Sequence, residues 1–163
     1  MHSWKNVNPI TQSFRNFLNR SQMPSLPSEV KAFTFRLKPK DDLRKSIQAF
    51  AEENQIKSGS IITCVGSLEQ FHIRFANQKT GEIRTGFFEI LSLTGTFSHL
   101  SSHLHLTVSN QVGHTIGGHL LDDNLVYTTA EIVVLELTDL VFKRELDPTY
   151  GFNELIVSKR KTD

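Results

Sequence analysis

The sequence predicts an α+β domain in which a mainly antiparallel sheet is covered by one main helix. Three observations carry this prediction. From Gly59 onward the chain is a succession of β-branched and aromatic runs separated by turns rich in Gly, Asn, Asp and Pro. Ahead of those runs stands one strong helical stripe, Leu43, Ile47, Phe50 and Ala51, with Arg44, Lys45, Glu52 and Glu53 outside it. The 163 residues suffice for one hydrophobic core, and no internal repeat argues for an array.

Residues 1–29 form an N-terminal extension. Trp4, Val7, Ile10, Phe14, Phe17 and Leu18 recur at helical steps, and Asn8-Pro9 suits an N-cap followed by proline in the first turn. A short amphipathic helix is expected from about Pro9 to Arg20, then a linker over Met23-Pro24-Ser25-Leu26-Pro27. The stretch carries Lys5, Arg15 and Arg20 and no acid before Glu29. A mitochondrial transit peptide therefore competes with a helix packed on the domain or on a neighbouring subunit.

The domain proper is expected over residues 30–157. Lys31 to Lys38 alternates, with Phe33, Phe35 and Leu37 on one face, and is a first strand. Pro39-Lys40-Asp41 closes it, and Asp41 is the expected N-cap of a helix from about Asp42 to Asn54. Ser60 to Val65 is a strand that Gly66-Ser67 ends or bends, and Phe71 to Ala76 follows. Asn77 to Gly81 reads as a hairpin loop with glycine taking the positive backbone angle. Ile83 to Thr94 is a long strand, after which Gly95 and Thr96 lead into a loop. Tyr127 to Leu137, Phe142 to Glu145 and Asn153 to Val157 complete the strands, the last two parted by an Asp147-Pro148 turn. Residues 158–163 are a short basic tail.

The stretch from Ser102 to His119, SHLHLTVSNQVGHTIGGH, is where groups able to do chemistry gather. In a strand, His103 and His105 share one face while Leu104, Leu106 and Val108 take the other. His119 follows Gly117-Gly118, a pair that lets the backbone turn or approach another chain closely. Two imidazoles on one strand face with a third alongside suit a divalent metal, most simply zinc. His114 rivals His119 as the third ligand, and His99 rivals either strand histidine. The same histidines also fit a hydrogen-bonded strand that holds no metal.

Composition narrows the rest. A formal net charge of +1 gives no bulk electrostatic reason for a nucleic-acid partner. The lone cysteine, Cys64, excludes an intramolecular disulfide and lies in an apolar run that predicts a buried, inert thiol. No apolar segment has the length of a membrane span, and no secretory signal is visible. The expected compartment is the cytoplasm or nucleus, with mitochondrial import left open by the acid-free N-terminus.

Four blocks then carry a family resemblance: Gly66-Ser67-Leu68; Gly86 to Gly95, GFFEILSLTG; the HLHL…GGHL block; and Thr128-Thr129-Ala130-Glu131 before an apolar strand. In this order they make the chain resemble the plants-and-prokaryotes-conserved (PPC) domain family over about Val30 to Val157. The resemblance implies a PPC-like fold assembling as a homotrimer. It also implies metal ligation by His103, His105 and His119 near a subunit interface, and leaves His99 and His114 without a matching position. Plant members join this domain to an AT-hook built on Arg-Gly-Arg-Pro, which is absent here, and Phe87 stands where their Gly-Arg-Phe block has arginine. The chain is thus similar to the single-domain prokaryotic branch, whose members are often described as predicted DNA-binding proteins.

The implied function is a homotrimeric protein holding zinc or another divalent metal on three histidines, with a small-molecule ligand left unnamed and no catalytic residue assigned. Glu131 and Glu89 are the carboxylates to examine as proton acceptors or as partners of the ligating imidazoles; both also fit plain solvent-facing strand positions. The alternative is a DNA-associated or protein-interaction module without catalysis, in which the basic ends triple in a trimer. No membrane partner is expected.

Overall fold

The structure is a computed structural model that describes residues 25–161. The expected helix over Pro9 to Arg20 and the transit-peptide reading lie outside the described residues. Strand β1 (Val30–Leu37) leads to the helix α1 (Leu43–Glu53). Then follow β2 (Gly59–Arg74), β3 (Glu82–Phe97), β4 (Ser102–Asn110), β5 (Thr115–Leu120) and β6 (Leu125–Leu137). They form one sheet in the order β1-β6-β2-β3-β4-β5, with every neighbouring pair antiparallel. A separate two-stranded ribbon, β7 (Leu140–Asp147) and β8 (Phe152–Lys159), ends the chain. Among the described residues, the mainly antiparallel sheet with a single short helix is the architecture the sequence predicts. No helix among the described residues is long and apolar enough to cross a membrane.

The sheet bends round until the end of β2 pairs with β5, matching Ile73 to Leu120 and Arg74 to His119. Strands β2, β3, β4 and β5 therefore close a small ring. Their inward residues fill it: Phe71 and Ile73, Leu93 and Phe97, Leu104 and Leu106, and Leu120 are all buried. Truncating one of these to alanine would cost about 2–5 kcal/mol, from lost apolar burial and the void left behind.

Helix α1 closes the core from one side. Leu43, Ile47 and Ala51 are fully buried, and Phe50 stacks on Phe35 at 4.3 Å between ring centroids and meets Phe33 edge-on at 5.5 Å. The N-cap is Asp42 rather than Asp41. The Asp42 carboxylate accepts from the Arg44 and Lys45 amides, while Asp41 turns back to accept from the Lys38 amide. Capping by the one that reaches two free amides of the first turn contributes about 1 kcal/mol.

Glycines explain most other departures from the expected elements. Gly95 and Thr96 belong to β3, which runs on to Phe97. Gly95 adopts φ +136°, and a Cβ there would stand 2.1 Å from the His103 carbonyl oxygen. The residue is thus a point of close approach between β3 and β4, not a strand end. Gly66 likewise bends one continuous β2 at φ +150°. In the β2–β3 turn the positive angle falls to Asn77, φ 58°, and not to Gly81. Gly117 and Gly118 do not turn the chain: they lie within β5, where Cβ atoms would press on the Leu106 and Arg74 carbonyl oxygens. Strand β8 continues through Lys159, and Arg160 sits near Glu136, so the start of the expected tail is structured.

Candidate metal centre

Strand β4 presents its apolar residues inward and His103 and His105 outward, as the alternation predicts. The β4–β5 hairpin sets His119 directly opposite His105. Residues opposed across antiparallel strands project to the same face, so the third imidazole joins the first two. One candidate ligand atom from each ring can be chosen so that all three lie within 4.8 Å of one another. The Nε2 atoms of His103 and His105 are 3.3 Å apart, and the three ring centroids are separated by 5.0 to 5.7 Å.

The neighbourhood is laid down by register. Thr94 on β3 faces His105, His105 faces His119, and His119 faces Arg74 on β2. A single cross-strand row therefore runs Thr94, His105, His119, Arg74 over four strands. Two residue pairs along, on the same face, Thr96 stands opposite His103. Thr94, Gly95, Thr96, His103 and His105 line an open concavity of about 220 Å³. The β7–β8 ribbon reaches this face: the Arg144 guanidinium donates to the Thr96 hydroxyl at 3.1 Å.

The electrostatics favour the neutral form of His103 and His119. Burial pulls the His119 pKa down to about 4, helped by the positive charge that His103, Arg74, His105 and Arg44 bring. His103 is lowered chiefly by burial, then by Arg144 and His105, with Glu154 opposing. Neutral imidazole nitrogens are what a divalent metal requires.

The donor set fits such an ion. Zinc–nitrogen bonds of about 2.0–2.1 Å put two ligands of a tetrahedron roughly 3.3–3.4 Å apart, the spacing at which His103 and His105 already stand. The third candidate nitrogen is near enough to belong to the same group.

The rival histidines are elsewhere. His99 donates from Nδ1 to the Ile56 carbonyl at 3.1 Å, and His114 sits exposed in the β4–β5 turn. Glu89 and Glu131 are exposed, and neither is among the charges acting on the imidazoles; the carboxylate that acts is Glu154. Arg74, Arg144 and Glu154 went unpredicted because they come from strands far apart in the chain. The one local signal was the alternation of Phe71 and Ile73 with His72 and Arg74, which marks Arg74 as outward-facing. Cys64 is buried and its thiol is pushed up to about 12 by that burial, so it is the inert group expected.

A ring-forming antiparallel domain with a three-imidazole cluster on its outer face defines a class of small β-rich proteins suited to holding a metal ion. Comparison with known proteins gives the family. Residues 25–138 match the Plants and Prokaryotes Conserved (PCC) domain, and the chain belongs to that family, abbreviated PPC above. The match starts before β1 and ends before β7, leaving the terminal ribbon outside it.

Among curated proteins, the chain is 38% identical over 132 residues to the bifunctional protein GlmU of a Synechococcus strain, covering 81% of this chain. It spans only 21% of that protein's length. A hypothetical protein of Salmonella enterica of known structure is 36% identical, with a TM-score of 0.82 over 83% of this chain and 99% of its own. The metal-containing protein AF0104 of Archaeoglobus fulgidus is 28% identical, with a TM-score of 0.72 over 82% of this chain and 99% of its own. A Bacteroides thetaiotaomicron protein described provisionally as DNA-binding is 27% identical, with a TM-score of 0.67 over 80% of this chain and 98% of its own.

Proposed function

We propose that the protein is a homotrimeric metal-binding PPC-domain protein in which His103, His105 and His119 hold one zinc or similar divalent ion per chain. The observation that carries this reading is the convergence of three imidazoles with ligand atoms within 4.8 Å of one another. The likeness to a metal-containing archaeal protein supports it. Three imidazoles leave a fourth zinc position for water or a ligand, and an ion so bound can lower the pKa of water or polarise a carbonyl or phosphoryl oxygen. The folded unit begins at about residue 30 and runs through the end of β8 at Lys159, with residues 1–29 as an extension.

Trimer formation draws support from the apolar residues that the central strands leave in solvent. Val65 on β2, Leu91 and Phe87 on β3 and Tyr127 on β6 are each between 42% and 55% exposed, and Phe87 and Tyr127 pack together at 4.8 Å. Clustered apolar surface of this kind marks an interface in a water-soluble domain.

The test is elemental mass spectrometry on the peak of a sizing column with light scattering. About one metal per chain at trimer mass supports the reading, and a metal-free monomer rejects it. A second reading, association with DNA, is favoured by the description of the Bacteroides relative. With a net charge of +1 it predicts weak binding that falls steeply with salt, and a salt-independent or absent DNA complex rejects it.

A further inference from the structure

Two cationic side chains from separate elements gather about the histidine face. Arg74 stands opposite His119 in the β2–β5 ladder, and its guanidinium donates to the Gln78 carbonyl at 3.1 Å. Arg144 of the ribbon is held by the Thr96 hydroxyl beside His103, and also donates to the Asn153 carbonyl at 3.5 Å. Both guanidiniums act electrostatically on His103. No carboxylate pairs with either of them among the described salt bridges, although the negative charge of Glu154, on the same ribbon as Arg144, also acts on His103.

Beyond Arg74 a groove of about 660 Å³ opens, lined by Arg74, Asn77, Gln78, Lys79 and Phe152. That is the size of a pocket for a small organic molecule. Its lining divides by chemistry. Lys79 and Arg74 are cationic, Asn77 and Gln78 are hydrogen-bonding, and Phe152, 61% exposed, offers an apolar wall. A guanidinium presents parallel N–H donors that match the paired oxygens of phosphate or carboxylate.

We infer that the three-histidine face is one end of a binding site for a small organic anion, whose phosphate or carboxylate group lies between Arg74 and Arg144 and whose body extends along the groove toward Lys79 and Phe152. The inference rests on the metal-site reading above and names the ligand class of that site. The ribbon that supplies Arg144 and Phe152 lies outside the family match, so the apolar wall of the groove comes from a part of the chain beyond that match, while Arg74, Asn77, Gln78 and Lys79 lie within it.

The experiment is calorimetric titration of the full chain with inorganic phosphate, with acetate as the carboxylate probe and with glycerol as a neutral control. Metal content is measured on the same samples. Binding of phosphate or acetate is expected, the tighter of the two naming the group, with no binding of glycerol. Arg74→Met and Arg144→Met should each weaken it about tenfold, the loss of one charged hydrogen-bonding partner, at unchanged metal per chain. Lys31→Met, on the distant β1 edge, should change nothing.

Arg74→Lys keeps the charge and loses the fork. It should fall between wild type and Arg74→Met, and it serves if either methionine variant fails to fold. A metal-loaded wild type that binds neither anion, or equal affinity in all the arginine variants, overturns the inference. Arginine-dependent anion binding by a protein without metal would sustain it and reject the metal reading instead.

Discussion

His72 and His99 face the backbone, whereas His103, His105 and His119 face one another. The His72 ring donates from Nδ1 to the Asp122 carbonyl at 2.9 Å, and His99 does the same to Ile56. In the cluster, the described hydrogen bonding of the rings is the contact between the Nε2 atoms of His103 and His105. Five residues of one type thus do two jobs in one domain. A histidine whose proton is committed to a main-chain oxygen fixes a turn. Histidines that converge without such acceptors keep their lone pairs free for something not of the chain.

Loss of metal is the most severe way to test that division. His119→Ala, or His103→Asn with His105→Asn, should take the metal from about one per chain to near none, read by elemental mass spectrometry, while the circular dichroism spectrum is kept. Full metal in both variants would make the cluster as structural as His72.

Gly95→Ala attacks the same site without touching a ligand. The side chain would drive into the His103 carbonyl at a backbone angle that suits glycine. A loss of about 3 kcal/mol or more is expected in chemical denaturation, with weakened metal binding. His72→Leu should behave oppositely, costing about 1 kcal/mol for its hydrogen bond and leaving metal content unchanged.

A further effect is on pH dependence. The folded pKa of His119, about 4, lies below the 6.5 of a free imidazole, so between those values the unfolded chain binds the extra proton. The stability of the metal-free protein from this group is complete above about pH 6.5. It falls progressively toward pH 4 and is flat below. Thermal melts of metal-free wild type against His119→Asn should diverge in slope over that window. Parallel slopes would show that His119 is not the responsible group.

Much of this could be read along the chain because it is local. The β4 alternation alone separates His103 and His105 from Leu104 and Leu106, and the stripe from Leu43 to Ala51 defines α1. The third histidine could not be derived in that way, since His114 and His119 are both plausible until the hairpin register is known. A period-two pattern assigns faces but not which residue stands opposite which. The family resemblance supplied what the pattern lacked. Gly95 and Gly81 misled for a related reason. A glycine demanded by a neighbouring chain and a glycine demanded by a turn are identical in sequence. Arg74 and Arg144 became partners of the histidines only through ring closure and the packing of the ribbon.

That closure has a consequence for amide exchange. At its His119 end, β5 is laddered to β4 on one side and β2 on the other, so this six-residue strand cannot fray there as a free border would. Deuterium should therefore enter the amides around His119 only through openings that also part β2 from β5, among the slowest in the molecule. The β7–β8 ribbon, a ladder of two strands tied to the rest mainly near Leu140 and Phe142, should label far sooner toward its Asp147–Phe152 turn.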